Sequence, residues 1–468
     1  MTFLPRTATR CRLCNSAALQ RVLSLPSTPP ANAFRVGECA RETYPLDLYL
    51  CGACGHLQLG IVLDPQVLYP DYLYVSGTSP SFVQHFRDYA DAVIEKRRLR
   101  GRFEDATNPD RFYPGDLVVE IGSNDGTGLL PYRSHGLPLL GVEPAEKIAA
   151  VARSAGIPTV TGFFDESFDL WEAWKASDQD TRLLAAVRCT GCSRFFEPPY
   201  VAPGDSAICT FCQREQVWGG PKAKVVLANN VMAHIDDLAG VLKGVQNILD
   251  PDGVFIFEVQ GLLEMVEQGY FDNCYHEHLS YHTALSLMPF FEQHSDTRLF
   301  LYDVEEVSTH GGSIRCWARF GGSRDGRVHR RAARERAAGL DRATTYHKLQ
   351  DGIDRLRVAY RALRDQHPGR WVGYGAPAKS TTLLHLLQEK DLAYVVDDSA
   401  WKQGRLTPGT GFPVVAPQRL LVERPDVVLV LAWNFKDQIV DKVTRLFAPE
   451  REKTPRFVIP LPTPVVLP

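Results

Sequence analysis

Apolar residues in SPSFVQHFRDYADAVIEKRR recur at helical spacing, and Ser79 followed by Pro80 makes a favourable helix start. The period then breaks. Leu117 to Ile121 reads as a buried strand, apolar apart from Glu120, that enters a turn rich in glycine, Gly122, Gly126 and Gly128. About 20 residues later a second apolar run, LLGVEP, ends in an acid, Glu143. IPTVT, AKVVLANN and GVFIFEV continue the strand pattern, and RLFLYDVEEV with GSIRCWARF reads as a late hairpin. Seven strands with helices between them are expected, an α/β class. Arg324 to Arg364 is rich in Arg and Ala with a helical period, read as a solvated helix packing through Leu340, Ile353, Leu356 and Leu363. WVGYGAPAKSTTLLHLL, AYVVDD, DVVLVLAW and RFVIPLP then predict a smaller parallel sheet.

Composition adds a few bounds. The 468 residues are 44% hydrophobic and 23% charged, so two to four domains are expected. A net charge of −3 supplies no global positive field, which argues against nucleic acid or an anionic membrane as the main partner. The chain opens without an apolar signal region, and the expectation is a cytoplasmic protein. Of 11 cysteines, eight form four CxxC pairs. Cys11/Cys14 and Cys51/Cys54 are separated by 36 residues, Cys189/Cys192 and Cys209/Cys212 by 16, and each set suits a structural four-cysteine zinc site. The second set lies between the third and fourth strands, so it reads as an inserted zinc ribbon. Its Phe195, Phe196 and Tyr200, with Arg194 as the single basic residue between Cys192 and Cys209, suit contact with a protein better than with DNA.

The glycine turn reads ExGxxxG, not GxGxxG, so it builds no pyrophosphate cradle. Glu143 at the second strand's end suits ribose hydroxyls, and Glu120 with Asn124 and Asp125 suits a cationic amino-acid tail. S-adenosylmethionine is such a ligand, and Gly122, Asn229 and Asn230 are placed with these residues at the cofactor end. CYHEHLSYH, Cys274 to His282, concentrates three histidines, and metal binding, proton transfer and a structural role are all open. Spacing weakens metal: His276 and His278 share a face only in a strand, His278 and His282 only in a helix. Gly373, Gly375, Lys379 and Ser380 form a turn into a helix that would suit a phosphate.

CRLC with CGACGHLQL, YLYVSGTS, EIGSNDG, NNVMAHIDD, FEVQ, YHEH, HGGSIR, GYGAPAKS and VDDSAWKQGRLTPGT, in this order, resemble the three-part S-adenosylmethionine-dependent C-methyltransferases of nucleotide-sugar biosynthesis. These methylate a ring carbon of a dTDP-4-keto deoxysugar. The resemblance implies an N-terminal zinc-binding domain over 1–70 and a Rossmann-like class I methyltransferase core over 71–320. A C-terminal α/β Rossmann-like domain over 321–468 would hold the nucleotide, with Lys379 and Ser380 near its phosphates. The insert at 183–223 departs from the family and leaves open a different acceptor or an inactive interaction module. Carried over residue by residue, His278 is similar to the family base, with Tyr275 and Glu277 beside it. His234 would hydrogen-bond the enolate, and Tyr74 would line the cleft. Attack by carbon on the methyl group first needs a carbanion, so a near-neutral base and a donor for the enolate oxygen are chemically required.

Overall fold

The computed structural model describes residues 5–68, 75–78, 80–101, 103–104, 112–113 and 115–177, then 220–448 and 454–467. Within the insert it describes 187–188, 191–192, 195–196, 203–204, 206–210 and 212–217. Tyr74, Ser79 and Cys189, all singled out above, lie outside the described residues. No helix among the described residues is long and apolar enough to cross a membrane.

The central sheet has seven strands. Its order is Thr159–Thr161, Leu139–Glu143, Val118–Ile121, Ala223–Asn229, Leu249–Gln260, Ser313–Phe320 and Leu299–Val307. The first five are parallel and the last two form the antiparallel hairpin expected at the end of the pattern. Val118, Val119 and Ile121 are buried because helices cover both faces, which is why that strand is apolar apart from Glu120. Chain order reverses between Val118–Ile121 and Ala223–Asn229, and ligands of such sheets bind beyond the strand ends at that reversal.

The C-terminal sheet is Val414–Val415, Leu392–Val396, Trp371–Tyr374, Val427–Val430 and Arg456–Ile459 in parallel, closed by an antiparallel Val465–Leu467. The single helix read over 324–364 is two, Gly326–Ala337 and Ala343–Gln366, with Leu340 buried between them. It is also less solvated than its charge suggests. Arg331 and Glu335 are buried as an ion pair, and Val328 and Ala332 join the core of the methyltransferase sheet. By packing, therefore, the first helix belongs with residues before 321.

The N-terminal unit contains strands Leu19–Thr28, Tyr44–Cys51 and Leu57–Leu59, and its sheet gains a fourth from far away: Ser280–Tyr281 of CYHEHLSYH. Ser280 pairs with Gln58 and Tyr281 with Leu57. Leu48, Leu57 and Leu59 share one core with Phe271, Cys274 and Tyr281, with Leu383 and Leu384 of the C-terminal unit's helix Ala378–Leu387, and with Val395 of its sheet. The histidine segment is thus enclosed by all three units.

Candidate active site

Gly122 takes φ +64°, and a Cβ there would lie 2.7 Å from Val231 Cγ2; only glycine fits. A Cβ on Gly128 would fall 2.6 Å from Glu120 Oε1. The turn is bound to the second strand by Glu143, whose carboxylate accepts the backbone N–H of Asn124 at 3.0 Å and of Ala145 at 2.9 Å. A short 3₁₀ turn, Ser76–Thr78, covers it. Ser76 N–H donates to Asn124 Oδ1 at 3.0 Å and Gly77 N–H to Asp125 Oδ2 at 2.9 Å. Asn229 donates its amide to Glu120 Oε1 at 2.9 Å, and Asn230 donates its backbone N–H to the Glu258 carbonyl. All seven residues assigned to the cofactor therefore gather at the reversal point.

Glu120 Oε2 is buried with no partner. Burial pushes the carboxyl up to about 8, Asp125 and Glu143 adding to it against the Asn229 hydrogen bond. A buried acceptor lacking a donor fits the ammonium of S-adenosylmethionine, and a measurable consequence follows. Glu120 is protonated below about pH 8, and a cation bound beside it would drive that proton off. Calorimetry at pH 7 in buffers of different ionisation enthalpy should show release of up to about one proton on cofactor binding. Glu120→Gln should remove that release; proton release unchanged in this variant would assign it elsewhere.

The three histidines of CYHEHLSYH go to three places. His276 packs its ring edge-on to Tyr44 at 5.8 Å, inside the N-terminal unit. His282 lies 3.3 Å from the Met232 carbonyl and 5.7 Å, ring to ring, from His56. His278 has Nδ1 2.8 Å from the Asn273 carbonyl, and since a carbonyl only accepts, Nδ1 carries the proton. Nε2 is then the basic atom, and the Tyr275 hydroxyl donates to it at 2.8 Å. The His234 ring stands 5.0 Å from that of His278. Burial lowers His278 to about 4, below the near-neutral value expected of the base, and His234 to about 3, the nearby His278 adding to the second, so both are neutral imidazoles at pH 7. Glu277 is buried against the Asn32 amide at 3.1 Å, and burial raises its carboxyl to about 7.

Lys379 and Ser380 are placed otherwise than at a phosphate-facing surface. Ser380 is buried and its hydroxyl donates to the Pro377 carbonyl at 2.6 Å, closing the first turn of helix Ala378–Leu387. Lys379 Nζ donates to Asn434 Oδ1 at 2.6 Å and lies 4.0 Å from buried Asp272, two residues ahead of Cys274. Burial lowers the lysine despite Asp272. The turn into this helix therefore holds the histidine loop, as does Thr382, whose hydroxyl donates to the Cys274 carbonyl at 2.7 Å.

Sequence reading did not single out His85, Glu258 and Arg315. Glu258 accepts from Arg315 Nε at 2.7 Å and lies 2.8 Å from His85 Nε2, while Arg315 sits 3.7 Å over the Tyr89 ring. Burial opposes ionisation of Glu258, and the hydrogen bond to His85 with the Arg315 charge outweighs it, holding the carboxyl below its usual range. An acid within the apolar run GVFIFEV was the available signal.

Cys11 Sγ is 3.6 Å from Cys54 Sγ, and Cys14 Sγ is 3.5 Å from Cys51 Sγ. A tetrahedral zinc with about 2.3 Å bonds separates its sulfurs by about 3.8 Å, so the four thiols fit the ion. In the insert Cys192 and Cys209 stand 3.7 Å apart, with Cys212 in the same cluster. Three knuckles share one geometry. In each, the residue four after the first cysteine, Asn15, Gly55 or Gln213, is left-handed and donates its N–H back to that cysteine's carbonyl.

Three family models match the chain: "Putative zinc binding domain" over residues 11–69, "Methyltransferase domain" over 86–294 and "C-methyltransferase C-terminal domain" over 308–462. The C-methyltransferase NovU of Streptomyces niveus is 31% identical over 479 aligned positions, covering 100% of this chain and 99% of that protein. Among solved structures, the PH0226 protein of Pyrococcus horikoshii OT3 is 12% identical with a TM-score of 0.31, over 53% of this chain and 95% of its own. Magnesium protoporphyrin IX methyltransferase of Synechocystis PCC 6803 is 12% identical with a TM-score of 0.29, over 50% and 82%. With the zinc-binding, methyltransferase and C-terminal models in succession and NovU aligned end to end, the chain belongs to the family of S-adenosylmethionine-dependent C-methyltransferases.

Proposed function

We propose that the enzyme methylates the carbon beside the ketone of a nucleotide-linked 4-keto deoxysugar, dTDP being the nucleotide, through an enolate. The observation that carries this is the fixed tautomer of His278. Its Nδ1–H is committed to the Asn273 carbonyl, so the lone pair sits on Nε2, beside Tyr275 and the second neutral imidazole of His234. Nε2 takes the proton from carbon once the Tyr275 hydroxyl yields to the acceptor, and His234 or Tyr275 donates to the developing enolate oxygen. S-adenosylmethionine supplies the methyl group to the carbanion in line. Glu143 holds its ribose, and Glu120 its ammonium. Zinc held by Cys11, Cys14, Cys51 and Cys54 is structural, and Cys192, Cys209 and Cys212, with Cys189, hold a second ion. The C-terminal sheet seats the nucleotide. The insert contacts another protein.

The test uses S-adenosylmethionine carrying a 13C methyl group and a dTDP-4-keto-6-deoxyhexose. A new carbon-bound methyl resonance in the sugar is expected. A methoxy resonance, or no transfer to any 4-keto sugar nucleotide while cofactor binding is intact, would overturn the acceptor assignment.

A further inference from the structure

Arg12 lies between two zinc ligands, in CRLC, yet its side chain bonds groups outside that knuckle. The guanidinium is almost fully buried, with 3% of the side chain exposed. Nε donates to Asp236 Oδ1 at 2.8 Å, and Nη1 donates to the carbonyls of Leu59 at 2.8 Å and Leu279 at 3.2 Å. Asp236 is two residues beyond His234, and Leu279 directly follows His278. These two segments also touch each other, since Leu279 N–H donates to the Ala233 carbonyl at 2.8 Å. One side chain of the first knuckle therefore grips both histidine-bearing segments and the strand Leu57–Leu59 beside them.

The knuckle itself has no need of a cation there. CGAC, CTGC and CTFC carry Gly52, Thr190 and Thr210 at the same position. Burying a guanidinium is costly unless it is paired and hydrogen-bonded, and Arg12 Nη2 is buried without a partner. A cost accepted at a place the metal does not require points to the segments held. We propose that Arg12 is a positioning residue that sets the distance and orientation of His278 relative to His234, and thereby makes the zinc unit part of the catalytic apparatus. The proposal rests on His278 being the base.

The experiment compares wild type, Arg12→Met, Arg12→Lys and Asp236→Asn in the full chain. Zinc content by atomic emission and the cofactor Kd by calorimetry are measured first, and both should stay within about twofold of wild type in Arg12→Met. With selectively 15N-labelled histidine, the Nδ1–H signal that disappears in His278→Asn identifies the His278 ring. In Arg12→Met that signal should shift or be lost. With the dTDP-4-keto-6-deoxyhexose, kcat should fall about 100-fold, the scale expected of a misplacement near 1 Å, with a smaller change in KM. Arg12→Lys, which keeps the charge but not the fork, should recover part of the rate.

Arg12→Met with zinc bound, an unchanged His278 signal and wild-type kcat would overturn the proposal. If that variant does not fold, Asp236→Asn decides by the same two readouts: a displaced His278 signal with lowered kcat supports it, and wild-type values overturn it. Failure of the base reading itself is seen separately, as full turnover in His278→Asn, because the NMR readout needs no acceptor.

Discussion

His278→Asn is expected to lower methyl transfer by about 10² to 10⁴-fold, the range set by loss of a positioned general base. Cofactor affinity should change by no more than about twofold, because the glycine turn and Glu143 lie on other segments. Asn keeps a donor near the Asn273 carbonyl but has no basic nitrogen where Nε2 stood. Washout of the acceptor proton into solvent, measured by NMR in deuterium oxide, should disappear with the transfer. If washout persists while transfer stops, the histidine acts after deprotonation and the base must be another group, with Tyr275 the first to examine.

The same ring has a pH signature. Burial depresses His278 to about 4 and His234 to about 3, below the usual 6.5. Because the folded values are depressed, the stability they contribute is complete above the unfolded value of about 6.5. It is lost as pH falls from there toward 4, where the unfolded chain binds protons the folded one refuses. Thermal unfolding between pH 7 and 4 should therefore fall less steeply in His278→Asn than in wild type. In the folded enzyme the base stays unprotonated across that window, so the acidic limb of its activity should lie well below pH 6.5.

What could be read along the chain, and what could not, follows from the range of the interactions. The strand Val118–Ile121, its glycine turn and the acid at Glu143 sit within about one βαβ unit, where period, glycine and terminal acid all leave local marks. The knuckles are equally local. The solvated face expected over 324–364 failed because the surface Arg pattern hid Arg331 paired to Glu335 and Glu264 inside. Lys379 was placed at a phosphate because a lysine at a helix start resembles one; its partners Asp272 and Asn434 are 107 and 55 residues away, out of reach of any pattern. The least legible feature decides the site. Ser280–Tyr281 is two residues long, and nothing in CYHEHLSYH signals that it completes a sheet begun at Leu19.

That pairing leads to the other large effect, in Cys51→Ser. Cys51 ends the strand Tyr44–Cys51, which pairs with Leu57–Leu59, which pairs with Ser280–Tyr281. Its N–H donates to the His56 carbonyl at 2.8 Å, and His56 Nε2 lies 3.2 Å from Ser280 Oγ. Removing one thiolate from four breaks a site of a kind that supplies about 10 to 16 kcal/mol to small zinc domains, more than a unit spanning residues 11–69 holds in reserve. Zinc measured per chain should therefore fall by one, the N-terminal sheet should melt in a separate low-temperature step, and methyl transfer should fall more than about 100-fold as Ser280–Tyr281 loses its neighbour. Cofactor affinity should fall less than methyl transfer: Glu120 and Glu143, assigned to the cofactor, stand on inner strands of the seven-stranded sheet, and Cys51 joins that sheet's core only alongside Cys11 and Leu13 of the first knuckle. Zinc lost with turnover retained would show that the histidine loop is held by Thr382 and Lys379 alone. Zinc and cofactor binding lost together would show that the two sheets fold as one unit.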